Sequence, residues 1–144
     1  MAKILIIGGG IIGSSLAWQL AKAGLSNDLI VVEPDPSYEY AATPRAVGGI
    51  RFVQGLPENL EMSLYGRTVF ENFSETLGIE DDTIDINFRE CGYLFLGAAG
   101  SGSGFEKNHK MLKGAGADIE LLDQKEMKNL LPHFDFNDAE ISLY

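Results

Sequence analysis

Residues 3–33 read KILIIGGGIIGSSLAWQLAKAGLSNDLIVVE, in the order strand, glycine turn, helix, strand and acidic residue. Gly8, Gly10 and Gly13 form the pattern G-x-G-x-x-G directly after an isoleucine-rich run. Glu33 ends the second apolar run, 25 positions after Gly8. This context predicts a dinucleotide-binding βαβ unit, because the glycine motif stands between a strand and a helix and an acidic residue follows at the expected distance.

Each glycine of the motif is expected to have its own physical role. Gly8 lets the chain turn sharply out of the strand, Gly10 lets a pyrophosphate approach the main chain, and Gly13 lets the helix pack close to the strand. The helix is predicted for residues 11–23, with Gly24 placed to end it. Its first N–H groups lack partners within the helix and carry partial positive charge, so this end suits a diphosphate.

Glu33 is predicted to bind the ribose of an adenosine. A carboxylate at the end of the second strand, predicted for residues 29–32, can accept hydrogen bonds from both ribose hydroxyls, and it repels the 2′-phosphate of NADP. These residues alone fit NAD as well as FAD. Two other interpretations are an ordinary βαβ unit without a nucleotide and a membrane span over residues 4–17. The span is disfavoured because the apolar run is shorter than the ~20 residues that a membrane requires.

The composition excludes several classes of function. The chain has 144 residues and a formal net charge of −10, which argues against nucleic acids and anionic membranes as partners, since both bind basic surfaces. Its single cysteine, Cys91, excludes an internal disulfide framework and indicates a reducing compartment, hence a cytoplasmic location. We expect Cys91 to be a small buried residue before a strand, and no metal site is predicted.

Beyond residue 33 the pattern predicts short elements that alternate between helix and strand. A loop-rich stretch at 34–57 comes first, followed by a helix at 58–77 that Gly78 ends, an acidic turn and a possible strand at 84–88. The next elements are a strand at 91–98, a flexible segment at 97–104, a helix at 105–113 and a strand at 118–122. A capping box of Asp123 and Glu126 then opens a helix that Pro132 stops, and a strand is predicted at 139–144.

Two features of this pattern leave alternatives open. The last predicted strand runs to Tyr144, and two parallel strands are too few for a doubly wound sheet. Either the later strands complete the sheet or the chain is part of a larger protein. The segment GAAGSGSG at 97–104 is either a natural loop or a linker that replaces a longer stretch.

The loop at 41–51, AATPRAVGGIR, is the next candidate for cofactor binding. Thr43 offers a hydroxyl and Arg45 a guanidinium to a phosphate, whereas Gly48 and Gly49 permit close approach of the backbone to a flat ring. A nicotinamide-binding fold usually has a crossover helix here. A long glycine-containing loop therefore favours FAD over NAD, although an ordinary surface loop is also possible.

Taken together, KILIIGGGIIGSSLAWQLAKAG, VVE, TPRAVGGIR, LPENLEMS and CGYLFL resemble the FAD-dependent D-amino-acid oxidase superfamily. The pattern is most similar to sarcosine oxidase-like and dimethylglycine dehydrogenase-like amine oxidoreductases, and it also resembles FAD oxidoreductase-domain proteins associated with assembly of mitochondrial complex I. The resemblance runs from Lys3 to the end of the chain. Members of the family are two or three times longer, and their later part supplies further sheet strands and most substrate-binding residues.

The resemblance implies roles for individual residues. The FAD pyrophosphate would lie on the turn formed by Gly8, Gly10, Ile11, Ile12 and Gly13, and Glu33 would bind the adenosine ribose. A second set would lie against the pyrophosphate, ribityl chain and flavin ring, namely Thr43, Arg45, Gly48, Gly49 and Ile50. Some relatives attach flavin through a histidine in the 41–51 loop, and this loop has none, so non-covalent FAD is expected.

The predicted fold class is α/β, with a Rossmann-like FAD-binding βαβ unit at 1–90 followed by the start of a mixed α+β substrate domain at 91–144, which is incomplete. The predicted function is oxidation of a C–N bond in a small amino acid or N-alkyl amino acid, with hydride transfer to flavin N5. The predicted partners are that substrate and the remaining C-terminal polypeptide, without which the chain is inactive. The alternatives are a non-catalytic FAD- or ADP-binding subunit or fragment and an NAD-dependent dehydrogenase domain. No catalytic residue is predicted, although Arg51 is a weak candidate near the flavin.

Overall fold

The computed structural model describes residues 3–78 and 84–144, so the predicted acidic turn at 79–83 lies outside the described residues. The chain packs as two compact units, Met1–Gly49 and Ile50–Tyr144. Each unit has its own sheet and its own helices. The first contains the glycine motif and the second contains an antiparallel sheet.

The first unit is built on a parallel pair of strands joined by a helix. Strand β1 (Ile4–Ile7) pairs with β2 (Leu29–Val32) along its full length, and α1 (Ile11–Leu20) connects them. The chain leaves α1 through a π-helical turn at Ala21–Leu25 and a 3-10 turn at Ser26–Asp28. Gly24 has φ +85°, the left-handed conformation that glycine adopts most readily at helix ends. The predicted βαβ unit and its helix end are therefore confirmed.

The apolar residues of this unit are more exposed than the sequence pattern predicts. The run in β1 suggests a strand buried on both faces, yet only Ile6 is buried, and Ile7 is 83% exposed. The predicted apolar stripe of α1 is also uncovered at Ile12 and Leu16, which are 83% and 49% exposed. A sheet of two strands and one helix cannot enclose these side chains, so they face outward.

The second unit begins with two helices in place of the single predicted helix at 58–77. Helix α3 (Pro57–Glu71) and helix α4 (Phe73–Leu77) are separated by Asn72, whose φ is −120°. The Asn72 side chain donates a hydrogen bond to the Thr68 carbonyl at 3.1 Å, which offers the backbone a partner outside the regular helical pattern. Gly78 ends α4 at φ +67°, as predicted.

A three-stranded antiparallel sheet follows, in the order β3 (Phe95–Gly97), β5 (Ile141–Leu143), β4 (Leu121–Asp123). The predicted strand at 84–88 is wrong, because Asn87 has φ +53° and its N–H donates to Asp85 Oδ1 at 2.7 Å. The strand predicted at 91–98 is shorter, because Gly92 takes a left-handed conformation with the Tyr144 ring against it.

The other predicted elements of this unit are confirmed with shifted ends. The strands predicted at 118–122 and 139–144 are observed as β4 and β5, and Glu120 and Tyr144 extend their pairing with two backbone hydrogen bonds. Helix α5 (Gly102–Gly114) begins earlier than the predicted 105–113, so part of the segment 97–104 is helical and not a flexible loop. The capping box that opens α6 (Gln124–Leu130) is present as predicted.

The core of the second unit lies where these helices cover the sheet. Its buried side chains form two clusters, one of Leu60, Leu112, Ala117, Ile119 and Leu143, and one of Leu122, Met127, Phe136 and Ala139. The prediction that Cys91 is buried is wrong, because its side chain is exposed. Within the described residues, no helix has the length and apolar character needed to cross a membrane.

Candidate functional site

The glycine turn brings β1, β2 and α1 into close contact. Gly8 has φ +98°, and its N–H donates to the Val32 carbonyl at 2.8 Å, which fixes the end of β1 against β2. A Cβ atom on Gly13 would lie 1.9 Å from the Gly8 carbonyl oxygen. Only glycine at position 13 therefore allows α1 to approach the strand this closely, as the sequence predicts.

Gly10 precedes α1 and leaves the first turn of the helix accessible. No side chain caps this end of α1, and a Cβ atom on Gly10 would have no heavy atom within 4 Å. Ile11 and Ile12, the first residues of α1, are 52% and 83% exposed. The first-turn N–H groups of a helix have no partners within it. The turn thus combines unpaired donors, a positive dipole end and open space, which is what an approaching diphosphate requires.

The Glu33 carboxylate is held against the glycine turn by two backbone N–H groups. Gly9 N–H donates to Oε2 at 2.7 Å, and Asp35 N–H donates to Oε1 at 3.0 Å. Each carboxylate oxygen can accept about two hydrogen bonds, so each keeps capacity for one more donor. The two oxygens match the adjacent 2′- and 3′-hydroxyls of a ribose. Glu33 is half-buried, which keeps the group oriented.

Tyr38 lies beside the glycine turn, a placement that was not predicted from the sequence. Its hydroxyl oxygen lies 2.8 Å from the position that a Cβ atom on Gly9 would take, and Glu33 Cβ lies 3.3 Å from the same point. Two signals could have indicated it. Gly9 makes the turn a run of three glycines where the motif needs no glycine at that position, and an aromatic residue follows Glu33 after a short turn.

The loop predicted to contact the cofactor forms a short helix, α2 (Ala42–Arg45). Arg45 donates from Nε to the Glu39 carbonyl at 3.1 Å and lies over the Tyr40 ring, 5.0 Å from its centroid. The Thr43 carbonyl accepts a hydrogen bond from Ala46 N–H at 3.2 Å. These contacts order the loop within itself, so phosphate binding by Thr43 and Arg45 stays a prediction.

The three remaining positions of the predicted cofactor set follow α2. Gly48 has φ +77°, which favours glycine at that position, and a Cβ atom there would meet nothing within 4 Å. Gly49 ends the first compact unit and Ile50 begins the second. Contact of Gly48, Gly49 and Ile50 with a ribityl chain or flavin ring stays a prediction.

Arg51, a weak candidate for catalysis, and both histidines of the chain lie in the second unit. The Arg51 guanidinium lies 5.9 Å from the centroid of the Phe95 ring, which stacks with Tyr93. His109 Nε2 is buried and has no hydrogen-bond partner among the described residues, whereas His133 is exposed. Across residues 3–78 and 84–144, no group of three or more His, Cys, Asp and Glu side chains is arranged to hold a metal ion.

The residues of the first unit fit the adenosine diphosphate half of FAD. The open space at Gly10 and the first turn of α1 fit the diphosphate, and the oriented Glu33 carboxylate fits the ribose. A 2′-phosphate would bring a second negative charge to Glu33, which is unfavourable.

Comparisons with known proteins identify the family of the chain. The family model described as FAD dependent oxidoreductase matches residues 3–143. The chain is 35% identical to FAD-dependent oxidoreductase domain-containing protein 1 of Xenopus laevis over 147 residues, which are 99% of this chain and 30% of that protein. It is 27% identical over 92 residues to 4-methylaminobutanoate oxidase (formaldehyde-forming) of Paenarthrobacter nicotinovorans, covering 64% of this chain and 10% of that protein.

The fold is also found in a solved structure, that of L-proline dehydrogenase from P. horikoshii. The TM-score is 0.76 at 26% sequence identity, and the match covers 99% of this chain and 36% of that one. The chain therefore spans about a third of the length of the proteins that it matches from end to end. Because the family model covers nearly every residue, this chain belongs to the family of FAD-dependent oxidoreductases.

Proposed function

We propose that the first unit binds the adenosine diphosphate half of FAD, and that the chain is the N-terminal part of an enzyme that oxidises a C–N bond. One observation supports this more than any other. The Glu33 carboxylate is oriented by the N–H groups of Gly9 and Asp35 at 2.7 and 3.0 Å, beside a helix start that no side chain caps.

In this proposal the protein binds by main-chain donors and one carboxylate. The diphosphate lies on the turn at 8–13 and receives hydrogen bonds from the first N–H groups of α1. Glu33 accepts a hydrogen bond from each ribose hydroxyl. Since the Gly9 and Asp35 N–H groups already hold the carboxylate, little side-chain entropy is lost when the ribose binds.

The proposed substrate is a small amino acid or N-alkyl amino acid. The names of two similar proteins mention proline and 4-methylaminobutanoate, and each of these compounds has a secondary amine and a carboxylate. When bound, FAD supplies a flavin whose N5 accepts a hydride from the carbon attached to the substrate nitrogen. The substrate would then be left as an iminium ion. No catalytic base is assigned.

We further propose that the 144-residue chain binds FAD without turnover. Catalysis would require the remaining C-terminal polypeptide. This fits the greater length of the similar proteins, since the chain spans about a third of each. Residues 1–90 would serve cofactor binding and 91–144 would begin the substrate domain. A cytoplasmic location stays a prediction from the single cysteine.

The test is an anaerobic titration of the purified chain. FAD is added first, and binding is followed by flavin fluorescence. L-proline or sarcosine is then added, and the visible flavin band is recorded against a control with free FAD. We expect saturable binding of FAD and no bleaching with either amine. Absence of FAD binding would refute the cofactor proposal, and amine-dependent bleaching would refute the claim that the chain is inactive alone.

A further inference from the structure

We propose that the Tyr38 hydroxyl is an additional recognition group for the adenosine ribose. It would donate a hydrogen bond to a ribose hydroxyl oxygen whose own proton is donated to Glu33. This inference rests on the proposed binding of the adenosine diphosphate half of FAD, and it adds a specific residue to that site.

The Tyr38 hydroxyl lies close to both the glycine turn and the Glu33 side chain. The Tyr38 hydroxyl oxygen and Glu33 Cβ lie 2.8 and 3.3 Å from the same point, the place where a Cβ atom on Gly9 would stand. The N–H of Gly9 donates to Glu33 Oε2 at 2.7 Å. The phenol and the carboxylate therefore border one small region beside the glycine turn, and a ribose bound by Glu33 would lie within reach of both.

The second argument is that the hydroxyl is available. Tyr38 is 36% exposed, and its hydroxyl makes no hydrogen bond to any residue of 3–78 or 84–144. A phenol can donate one hydrogen bond and accept others. A ribose hydroxyl that donates to Glu33 keeps lone pairs that can accept the Tyr38 proton. Glu33 would thus accept a hydrogen bond from the same ribose hydroxyl to which Tyr38 donates one.

The third argument is that the backbone holds Tyr38 in place. Its φ is +57°, a conformation that is uncommon for residues other than glycine and occurs where surrounding structure enforces it, often at ligand sites. Its N–H donates to the Asp35 carbonyl at 3.1 Å, and its carbonyl accepts from Ala41 N–H at 3.0 Å. Ser37 donates from its N–H and its hydroxyl to Asp35 Oδ1. These hydrogen bonds fix the main chain of the turn at Tyr38.

This arrangement also explains the third glycine of the turn. The motif requires no glycine at position 9, yet any Cβ atom there would approach the Tyr38 hydroxyl to 2.8 Å. Gly9 therefore leaves room for the Tyr38 hydroxyl in its present position. A substitution at Gly9 is therefore a second, independent way to displace the hydroxyl.

The experiment measures binding of ADP to the full chain by calorimetry, for wild type, Tyr38→Phe and Tyr40→Phe. The Tyr40 variant is the matched control, because it also removes one phenol hydroxyl from the loop and keeps the ring under Arg45. We expect Tyr38→Phe to weaken ADP binding about 3- to 10-fold, the effect of one neutral hydrogen bond. Tyr40→Phe should bind ADP as wild type does.

Two further measurements identify the partner of the hydroxyl. The same titrations are repeated with 2′-deoxy-ADP and 3′-deoxy-ADP. The difference in affinity between wild type and Tyr38→Phe should disappear for the analogue that lacks the ribose oxygen to which Tyr38 donates. Gly9→Ala should weaken ADP binding more in the wild-type background than in the Tyr38→Phe background, where only its contact with the Glu33 side chain remains.

The outcomes separate this inference from the proposed function. If wild type binds ADP and Tyr38→Phe binds it equally well, the role of Tyr38 is refuted while cofactor binding stands. Tighter binding by Tyr38→Phe would also refute it, because the hydroxyl would then obstruct the ribose. If wild type binds neither ADP nor FAD, the proposed function fails, and the inference fails with it.

Discussion

Replacing Gly13 with alanine tests the close packing of α1 on β1 and β2. The new Cβ would lie 1.9 Å from the Gly8 carbonyl oxygen and 3.0 Å from the Gly8 carbonyl carbon, whereas Cβ contacts under 3.0 Å essentially do not occur. Both neighbours are backbone atoms, so the helix would have to move by more than an ångström. Overpacking of this kind costs about 1–3 kcal/mol, and the upper value applies to a backbone clash.

An opposing term favours the variant. Alanine is a better helix former than glycine by about 1 kcal/mol. The expected net loss is therefore about 2 kcal/mol in the free energy of unfolding of the first unit. Movement of α1 would also displace its first N–H groups from the proposed position of the diphosphate, so we expect FAD binding to weaken together with stability.

Urea unfolding followed by the fluorescence of Trp18 measures this loss. Trp18 is the only tryptophan in the sequence and lies within α1, so its emission reports on the first unit. Two glycines provide controls. A Cβ atom on Gly66, inside α3, would meet Phe70 at 3.9 Å, an ordinary contact, so Gly66→Ala should stabilise the second unit by about 0.5–1 kcal/mol in circular dichroism.

The second control separates packing from binding. A Cβ atom on Gly10 would meet nothing within 4 Å, so Gly10→Ala should leave unfolding of the first unit unchanged while it obstructs the diphosphate and weakens FAD binding. If Gly13→Ala is as stable as wild type, the contact between α1 and the glycine turn is not as close as the structure shows, and the steric argument fails.

Two other predictions concern hydrogen bonds at the start of turns and helices. Asp123→Ala removes the acceptor of Glu126 N–H at 2.8 Å in the capping box of α6, and it should destabilise the second unit by about 1 kcal/mol in urea unfolding followed by circular dichroism; an unchanged midpoint would contradict this. The hydrogen bonds from Ser37 hold the pKa of Asp35 below the ordinary value of an aspartate, 3.8. The pKa of Asp35 is lower in the folded chain than in the unfolded chain, so the ionised carboxylate stabilises the turn at 35–38 above pH 3.8. This stabilisation is lost as the pH falls through the pKa that Asp35 has in the folded chain. An NMR titration should place the Asp35 midpoint below 3.8, and Ser37→Ala should raise it; a midpoint that does not respond to Ser37→Ala would exclude the proposed cause.

The local patterns in the sequence predicted the βαβ unit well. The roles of Gly13 and Gly24 could be predicted because each depends on a few neighbouring residues. Close packing of α1 at position 13 and a left-handed conformation at position 24 both favour glycine. The capping box of Asp123 and Glu126 is equally local. In each case the residues that interact are close in sequence, or belong to a motif whose spacing is fixed.

What the sequence could not predict depends on tertiary contacts. Tyr38 acquires its place from a turn at 35–41 and from Gly9, which is 29 residues earlier. The apolar alternation at 84–88 resembles a strand, yet the hydrogen bond between Asp85 and Asn87 gives a turn. The exposure of Ile7 and Ile12 reflects how few elements cover the first sheet, which periodicity alone cannot show.

The most direct test of the account is the affinity of the chain for FAD in wild type, Glu33→Gln and Glu39→Gln. Glu39 is a matched control in the same loop, because Arg45 uses its backbone carbonyl and not its carboxylate. We expect saturable binding by wild type, a loss of about tenfold or more in Glu33→Gln, as for hydrogen bonds to a charged group, and no change in Glu39→Gln. Equal affinities in wild type and Glu33→Gln would contradict the assignment of the adenosine ribose to Glu33.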